Sequence, residues 1–189
     1  KSISHGVAAL EYDLAKEING QAVATEIARH ELYGCTGAEM VQEMKPYHID
    51  FPNVKNNCLR FEVSPSIEES ATFTDADWAE LGNDFMQRMG LANHQYIIIR
   101  HSGTESKKEQ AHLHILANRV SLSGELYRDN WIGKKATEAA NAIAKERNFV
   151  QSQDIGKVNK AEIKEAMDGV LKKMQGFDFT KFKEELGKR

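Results

Sequence analysis

The stretch "QYIIIRH", residues 95–101, constrains this chain more than any other. Successive side chains of an extended strand point to opposite faces, so three isoleucines in a row make both faces apolar. Such a strand needs cover on both sides, which predicts an interior position in a sheet. A polar loop, "SGTESKKEQ", follows, and then a second extended run, "AHLHILANRV", residues 111–120. Two strands joined by a loop of that kind pair antiparallel. "CLRFEVSPS" (58–66) reads as a further strand, ended by Pro65.

The other segments carry helical spacing. A helix is predicted from about His5 to Ile18, with Val7, Leu10, Leu14 and Ile18 facing the core and Tyr12 about 200° away from that stripe. A second is predicted over Ala22–Tyr33, and a third from "TGAE" (36–39), which has capping-box spacing. Thr74 caps a helix with Trp78, Leu81 and Phe85 inward and Gly90 as its stop. Another runs from about Lys135 to Asn148. "VQSQDIGKVN" reads as a linker, before an amphipathic helix marked by Ile163, Met167, Val170 and Met174, and a last short one capped by Thr180. This mixed order predicts an α+β fold: a two-layer sandwich with a central antiparallel β-sheet and C-terminal helices, divided into residues 1–150 and 151–189.

Composition narrows the function classes. With 41% hydrophobic and 28% charged residues, the chain folds around a core and is neither disordered nor fibrous. No apolar run approaches the roughly 18 residues of a membrane span, and "KSISHGVAAL" lacks the charged-then-apolar layout of a signal peptide. Cys35 and Cys58 have no CxxC neighbour, which argues against a disulfide scaffold or cysteine zinc site and fits a reducing cytoplasm. There is no GxGxxG and no GxxxxGK[ST], so no phosphate-cradling loop. The net charge of −3 demands no nucleic-acid partner, but its distribution permits one. Residues 1–94 carry seven Lys/Arg against fifteen Asp/Glu, whereas residues 95–135 carry seven against four.

That basic surplus surrounds three histidines. His112 and His114 are two apart on a strand and so share a face, while Leu113, Ile115 and Ala117 point the other way. His101 closes the preceding strand. Three imidazoles converging from paired strands suit a divalent cation, and by ligand chemistry alone zinc. A partly solvated polar face without a ligand is the alternative. At this point cupins and carbonic anhydrases, which also carry HxH, fit as well.

The longer run "QYIIIRHSGTESKKEQAHLHILANRVSLSG" resembles the third motif of plasmid and transposon relaxases, the mobilisation nucleases of the HUH endonuclease superfamily. "LEYDLAKE" is similar to their tyrosine-bearing N-terminal helix, "LRFEVSPS" to the second-motif strand, and "FTDADWAELGNDFMQRMG" to the helix after it. The resemblance spans about residues 1–150, and its tyrosine-before-histidine order is that of relaxases, not of replication initiators. Arg60 stands where some members carry histidine. Ser102-Gly103 stands where members often carry an acid, which makes Glu105 and Glu109 candidates for that carboxylate.

The resemblance implies a relaxase that nicks single-stranded DNA at a transfer origin during mobilisation of a plasmid or integrative element. Tyr12 is then the nucleophile, forming a 5′-phosphotyrosyl intermediate, with Tyr33, Tyr47 and Tyr127 as rivals and Tyr96 structural. His101, His112 and His114 become the ligands of magnesium or manganese. Glu62, opposite Phe61 and Val63 on its strand, is a candidate to orient a ligand histidine. Arg100, Lys107, Lys108, Arg119, Lys134 and Lys135 are candidates for DNA phosphate contacts, and Trp131 for base stacking. A bacterial cytoplasmic location and accessory mobilisation and coupling proteins follow from the same resemblance. The alternatives are a small-molecule metalloenzyme that shares HxH, which needs neither Tyr12 nor DNA, and a non-catalytic DNA-binding relative.

Overall fold

A computed structural model describes residues 1–103 and 110–188. The chain divides into two compact units, Lys1–Phe149 and Val150–Arg189. The strands of the first are β1 (Ser2–Ile3), β2 (Glu17–Ile18), β3 (Gln21–Ala22), β4 (Ala24–His30), β5 (Cys58–Val63), β6 (His94–His101) and β7 (His112–Ser121). Its helices are α1 (Gly6–Leu14), α2 (Gly37–Met44), α3 (Ile67–Ser70), α4 (Asp75–Arg88) and α5 (Ile132–Glu146). Five strands form one antiparallel sheet in the order β1-β5-β7-β6-β4, with β2 and β3 a separate small hairpin.

The α+β class with a central antiparallel sheet is as expected, and helices cover both sheet faces. On one, Phe61, Ile98, Leu113 and Ile115 pack against Trp78, Leu81, Phe85 and Met86 of α4 and Ile143 of α5. On the other, Ile97, Ile99 and Leu116 meet Leu10 of α1 and Met40, Val41 and Met44 of α2. The isoleucine run serves both cores because consecutive residues alternate faces. Capping boxes at Thr36 and Thr74 start α2 and α4, where the sequence places a capping box and a threonine cap.

Close approach of α4 to the sheet depends on Gly82. A Cβ there would lie 2.7 Å from Ile98 Cδ1 and 3.3 Å from Leu113 Cδ1. Gly82→Val therefore overpacks the interface and should cost about 1–3 kcal/mol, read as a lower urea midpoint. An unchanged midpoint would show that the contact relaxes freely.

Several boundaries differ from the sequence-based expectation. The first helix ends at Leu14, not Ile18, because Asn19 and Gly20 adopt φ of 53° and 76° and turn the chain into the β2–β3 hairpin. Its buried stripe is Gly6, Ala9, Leu10 and Asp13, and Val7 is exposed. Residues expected as a helix over Ala22–Tyr33 instead form β4, which hydrogen-bonds along the outer edge of β6. Satisfying that edge outweighs the weak local helix propensity. The helix expected to begin at Lys135 begins at Ile132, after Trp131 in the left-handed region with φ 56°.

In the second unit, α6 (Ser152–Leu171) takes up most of the expected linker, and α7 (Phe179–Leu186) follows. Asp178, not Thr180, caps α7 by accepting from the Lys181 amide. Of the expected core stripe of α6, Ile163 and Met167 are exposed and Val170 is buried. Among the described residues, no helix is long and apolar enough to cross a membrane.

Candidate metal and DNA-cleavage site

Antiparallel register brings the histidines together. His101, the last residue of β6, is the ladder partner of His112, the first of β7, and His114 follows on the same face opposite Ile99. All three are buried, at 2%, 5% and 8% exposure. Each offers a ring nitrogen, and these atoms lie within 4.8 Å of one another.

Hydrogen bonds fix the rings from outside. His101 Nε2 lies 2.7 Å from the Asp13 carbonyl oxygen and His112 Nδ1 lies 3.2 Å from that of Gln110. A carbonyl only accepts, so those nitrogens carry the protons and leave His101 Nδ1 and His112 Nε2 as lone-pair donors. Tying the outer nitrogen of an imidazole to a carbonyl is how metal-binding histidines are commonly held. Arg60 Nη2 donates to His114 Nδ1 at 3.1 Å, so neutral His114 carries its proton on Nε2, which donates to His112 Nε2 at 3.1 Å.

A carboxylate that sequence reasoning missed completes this arrangement. Asp13, 1% exposed on α1, accepts both Nε (3.0 Å) and Nη2 (2.5 Å) of Arg60. Its Oδ1 is 3.8 Å from His114 Nδ1. Bidentate pairing offsets the desolvation of a buried acid and guanidinium. The signal for Asp13 was an acid at i+3 from Leu10 and i+4 from Ala9 on a helix whose apolar face is buried, a position that requires a cationic partner.

Burial holds His101 below the ordinary histidine range, and it lowers His114 to about 3, with the positive charge that His101 and Arg60 can carry adding to the effect. Both are therefore neutral at neutral pH. Because the unfolded chain takes up protons near the ordinary value of ~6.5, it binds more of them than the folded state does. Stability of the metal-free protein is thus fully present above about pH 7 and falls as pH drops through that value toward 3, by at most ~1.4 kcal/mol per pH unit for each histidine. Urea midpoints in chelator should fall between about pH 7.5 and about pH 5, and less steeply for His114→Leu. Equal slopes in the two proteins would remove His114 as a source of the effect.

Tyr12 precedes Asp13 and is 56% exposed. Asp13 touches His101 and Arg60, so α1 delivers the tyrosine one residue from the groups that hold the cluster. Tyr96 is buried, and its hydroxyl donates to Asn83. Tyr127 packs in the core of the opposite sheet face, and Tyr33 donates to Glu31.

The remaining expected residues are placed unevenly. Glu62 is the ladder partner of His114 but is exposed, and Asp13 is the acid that reaches the histidines. Arg100 pairs with Asp75, and strand alternation puts it on the face away from the histidines. Arg119 shares that opposite face, with each of its three nitrogens engaged: Nε to the Tyr127 carbonyl (3.2 Å), Nη1 to that of Asn56 (3.0 Å) and Nη2 to Asp129 (2.6 Å). Lys134 lies 3.8 Å from Glu138, and Lys135 donates to the Arg128 carbonyl. Trp131 is 81% exposed. Lys107, Lys108, Glu105 and Glu109 lie outside the described residues. Asn118 is fully buried and knits His48, Gln95 and the Met44 carbonyl together, a structural role.

Residues 12–149 match the family model described as relaxase, MobA/VirD2-like, nuclease domain. The chain belongs to this family. No curated protein and no solved structure matches it significantly. Membership makes the chain a DNA-nicking nuclease of a family that binds single-stranded DNA. In this relaxase the buried triad of His101, His112 and His114 is compatible with a divalent metal, since its ring nitrogens converge and those of His101 and His112 present lone pairs held from behind.

Proposed function

We propose that this relaxase cleaves one DNA strand by transesterification, with Tyr12 as nucleophile and His101, His112 and His114 as ligands of a divalent cation. The observation that carries the reading is the anchoring of the Tyr12 helix on the histidine cluster through Asp13. Tyr12 Oη bonds to the scissile phosphorus, the P–O3′ bond breaks, and the protein stays joined to the 5′ end. The phenolic proton leaves to water, which reaches the exposed ring, and the released 3′ oxygen takes a proton from water. A bound cation, magnesium or manganese by family and zinc by ligand preference, acts as a Lewis acid on the phosphate. The neutral histidines leave its charge undiminished, and the Asp13–Arg60 pair holds the His114 ring. One phosphoester replaces another, so the same site rejoins the strand without ATP.

The setting is a transfer origin on a mobilised plasmid or integrative element in the bacterial cytoplasm, with accessory mobilisation and coupling proteins as partners. Residues 1–150 form the nuclease domain and 151–189 begin an accessory segment. The test is covalent capture: protein, manganese and a labelled pool of randomised single-stranded oligonucleotides, followed by SDS denaturation and peptide mapping. Label on the Tyr12 peptide is expected. Label on Tyr33, Tyr47 or Tyr127 overturns the assignment of the nucleophile, and binding without any adduct identifies a non-catalytic relative.

A further inference from the structure

We propose that Lys16 is a second catalytic residue, whose ammonium orients the Tyr12 hydroxyl and stabilises the negative charge that Oη carries on the way to and from phosphorus. The inference rests on Tyr12 being the nucleophile. Lys16 Nζ donates to Tyr12 Oη at 2.8 Å and lies 4.9 Å from the ring centroid. Lys16 is held at its ammonium by the tyrosine and at its backbone by the hairpin. The α-helix ends at Leu14, so Lys16 sits beyond the last helical turn. There its carbonyl accepts from the Val23 amide at 3.0 Å, across the base of the hairpin that the Asn19-Gly20 turn closes. The hairpin thus pins the lysine backbone while its side chain folds back over the tyrosine.

The other cation of the site is engaged elsewhere. Arg60 has its Nε and Nη2 engaged by Asp13 and reaches His114 behind the metal donors. The Lys16 charge also acts on His101 and His114, as a minor contribution to keeping both neutral, which places it within electrostatic range of the triad.

An ammonium donates and cannot accept, so Lys16 is not the base. It remains charged throughout, while the phenolic proton leaves to water. Starting from the neutral phenol, Oη bears partial negative charge in the transition state, and a charge-assisted hydrogen bond is stronger there than in the ground state. During rejoining, Oη is the leaving group and passes through the same charged arrangement. One side chain therefore accelerates both directions and leaves their equilibrium unmoved.

The test uses the full chain with manganese and an oligonucleotide recovered from the covalent capture. Lys16→Met keeps the stem and removes the charge, and Lys16→Arg restores a cationic donor. At saturating oligonucleotide, Lys16→Met should slow adduct formation and resealing alike by about 10- to 100-fold, somewhat less than loss of a fully buried oxyanion donor. The dissociation constant should move by less than about threefold, and Lys16→Arg should recover most of the rate. An unchanged rate, or a loss that disappears at high oligonucleotide concentration, overturns the inference, the second by showing that Lys16 only binds DNA. An adduct that survives Tyr12→Phe, or no adduct with wild type, overturns the nucleophile assignment and the inference with it.

Discussion

Tyr12→Phe should abolish covalent capture of DNA, lowering the cleavage rate by on the order of 10³-fold or more, because the variant lacks the only oxygen of that ring and nothing else changes. The ring is 56% exposed on the outer side of α1, so phenylalanine fits without repacking. The hydroxyl's hydrogen bond is with Lys16, an interaction near the surface whose loss costs little stability. Circular dichroism, thermal midpoint and oligonucleotide affinity should all remain close to wild type. Retained binding with lost capture is the result that separates a nucleophile from a structural tyrosine. Full capture by Tyr12→Phe would move the reaction to another side chain and leave the histidine cluster without its attacking partner.

The second large effect is expected at the metal donors. His112→Ala removes one imidazole of the triad, whose Nε2 lies 3.1 Å from His114 Nε2. Manganese affinity, measured by calorimetry or by the spin signal of the free ion, should fall by more than the ~10–100-fold that loss of an outer hydrogen-bond partner costs a metal site. Cleavage should fall with it. The sheet should survive, because His112 is at the end of β7 and the apolar contacts of Leu113 and Ile115 lie on the opposite face. Manganese binding that is indifferent to His112→Ala would show that the cation is held elsewhere.

Much of the frame was legible because its signals are local. The isoleucine run of β6, the alternation in β7 and the capping boxes at Thr36 and Thr74 need only a few residues to express their preference. The convergence of three histidines followed from the same alternation, once two strands were paired with His101 opposite His112. Membership of the relaxase family, matched over residues 12–149, agrees with the resemblance carried by that run.

What escaped sequence reading depended on partners far along the chain. β4 is a strand because β6 offers it an unpaired edge, and no property of "ATEIARH" announces that. The first helix ends early because an Asn-Gly turn, itself a recognisable signal, closes a hairpin whose worth shows only when Val23 meets Lys16. Arg100 and Arg119 looked like DNA contacts by charge alone, yet the folded chain turns them away from the histidines and engages them with acids and carbonyls. Asp13 and Arg60 are 47 residues apart, and only packing of α1 against the sheet makes them a bidentate pair behind His114.

By itself the sequence determined the pattern of faces: which strand positions are apolar, which carry imidazole, and where α2 and α4 start, because periodicity and capping act over a few residues. Tertiary structure alone decided which charges meet: an ion pair is a relation between distant segments, and burial on folding sets whether a carboxylate such as Asp13 finds its guanidinium.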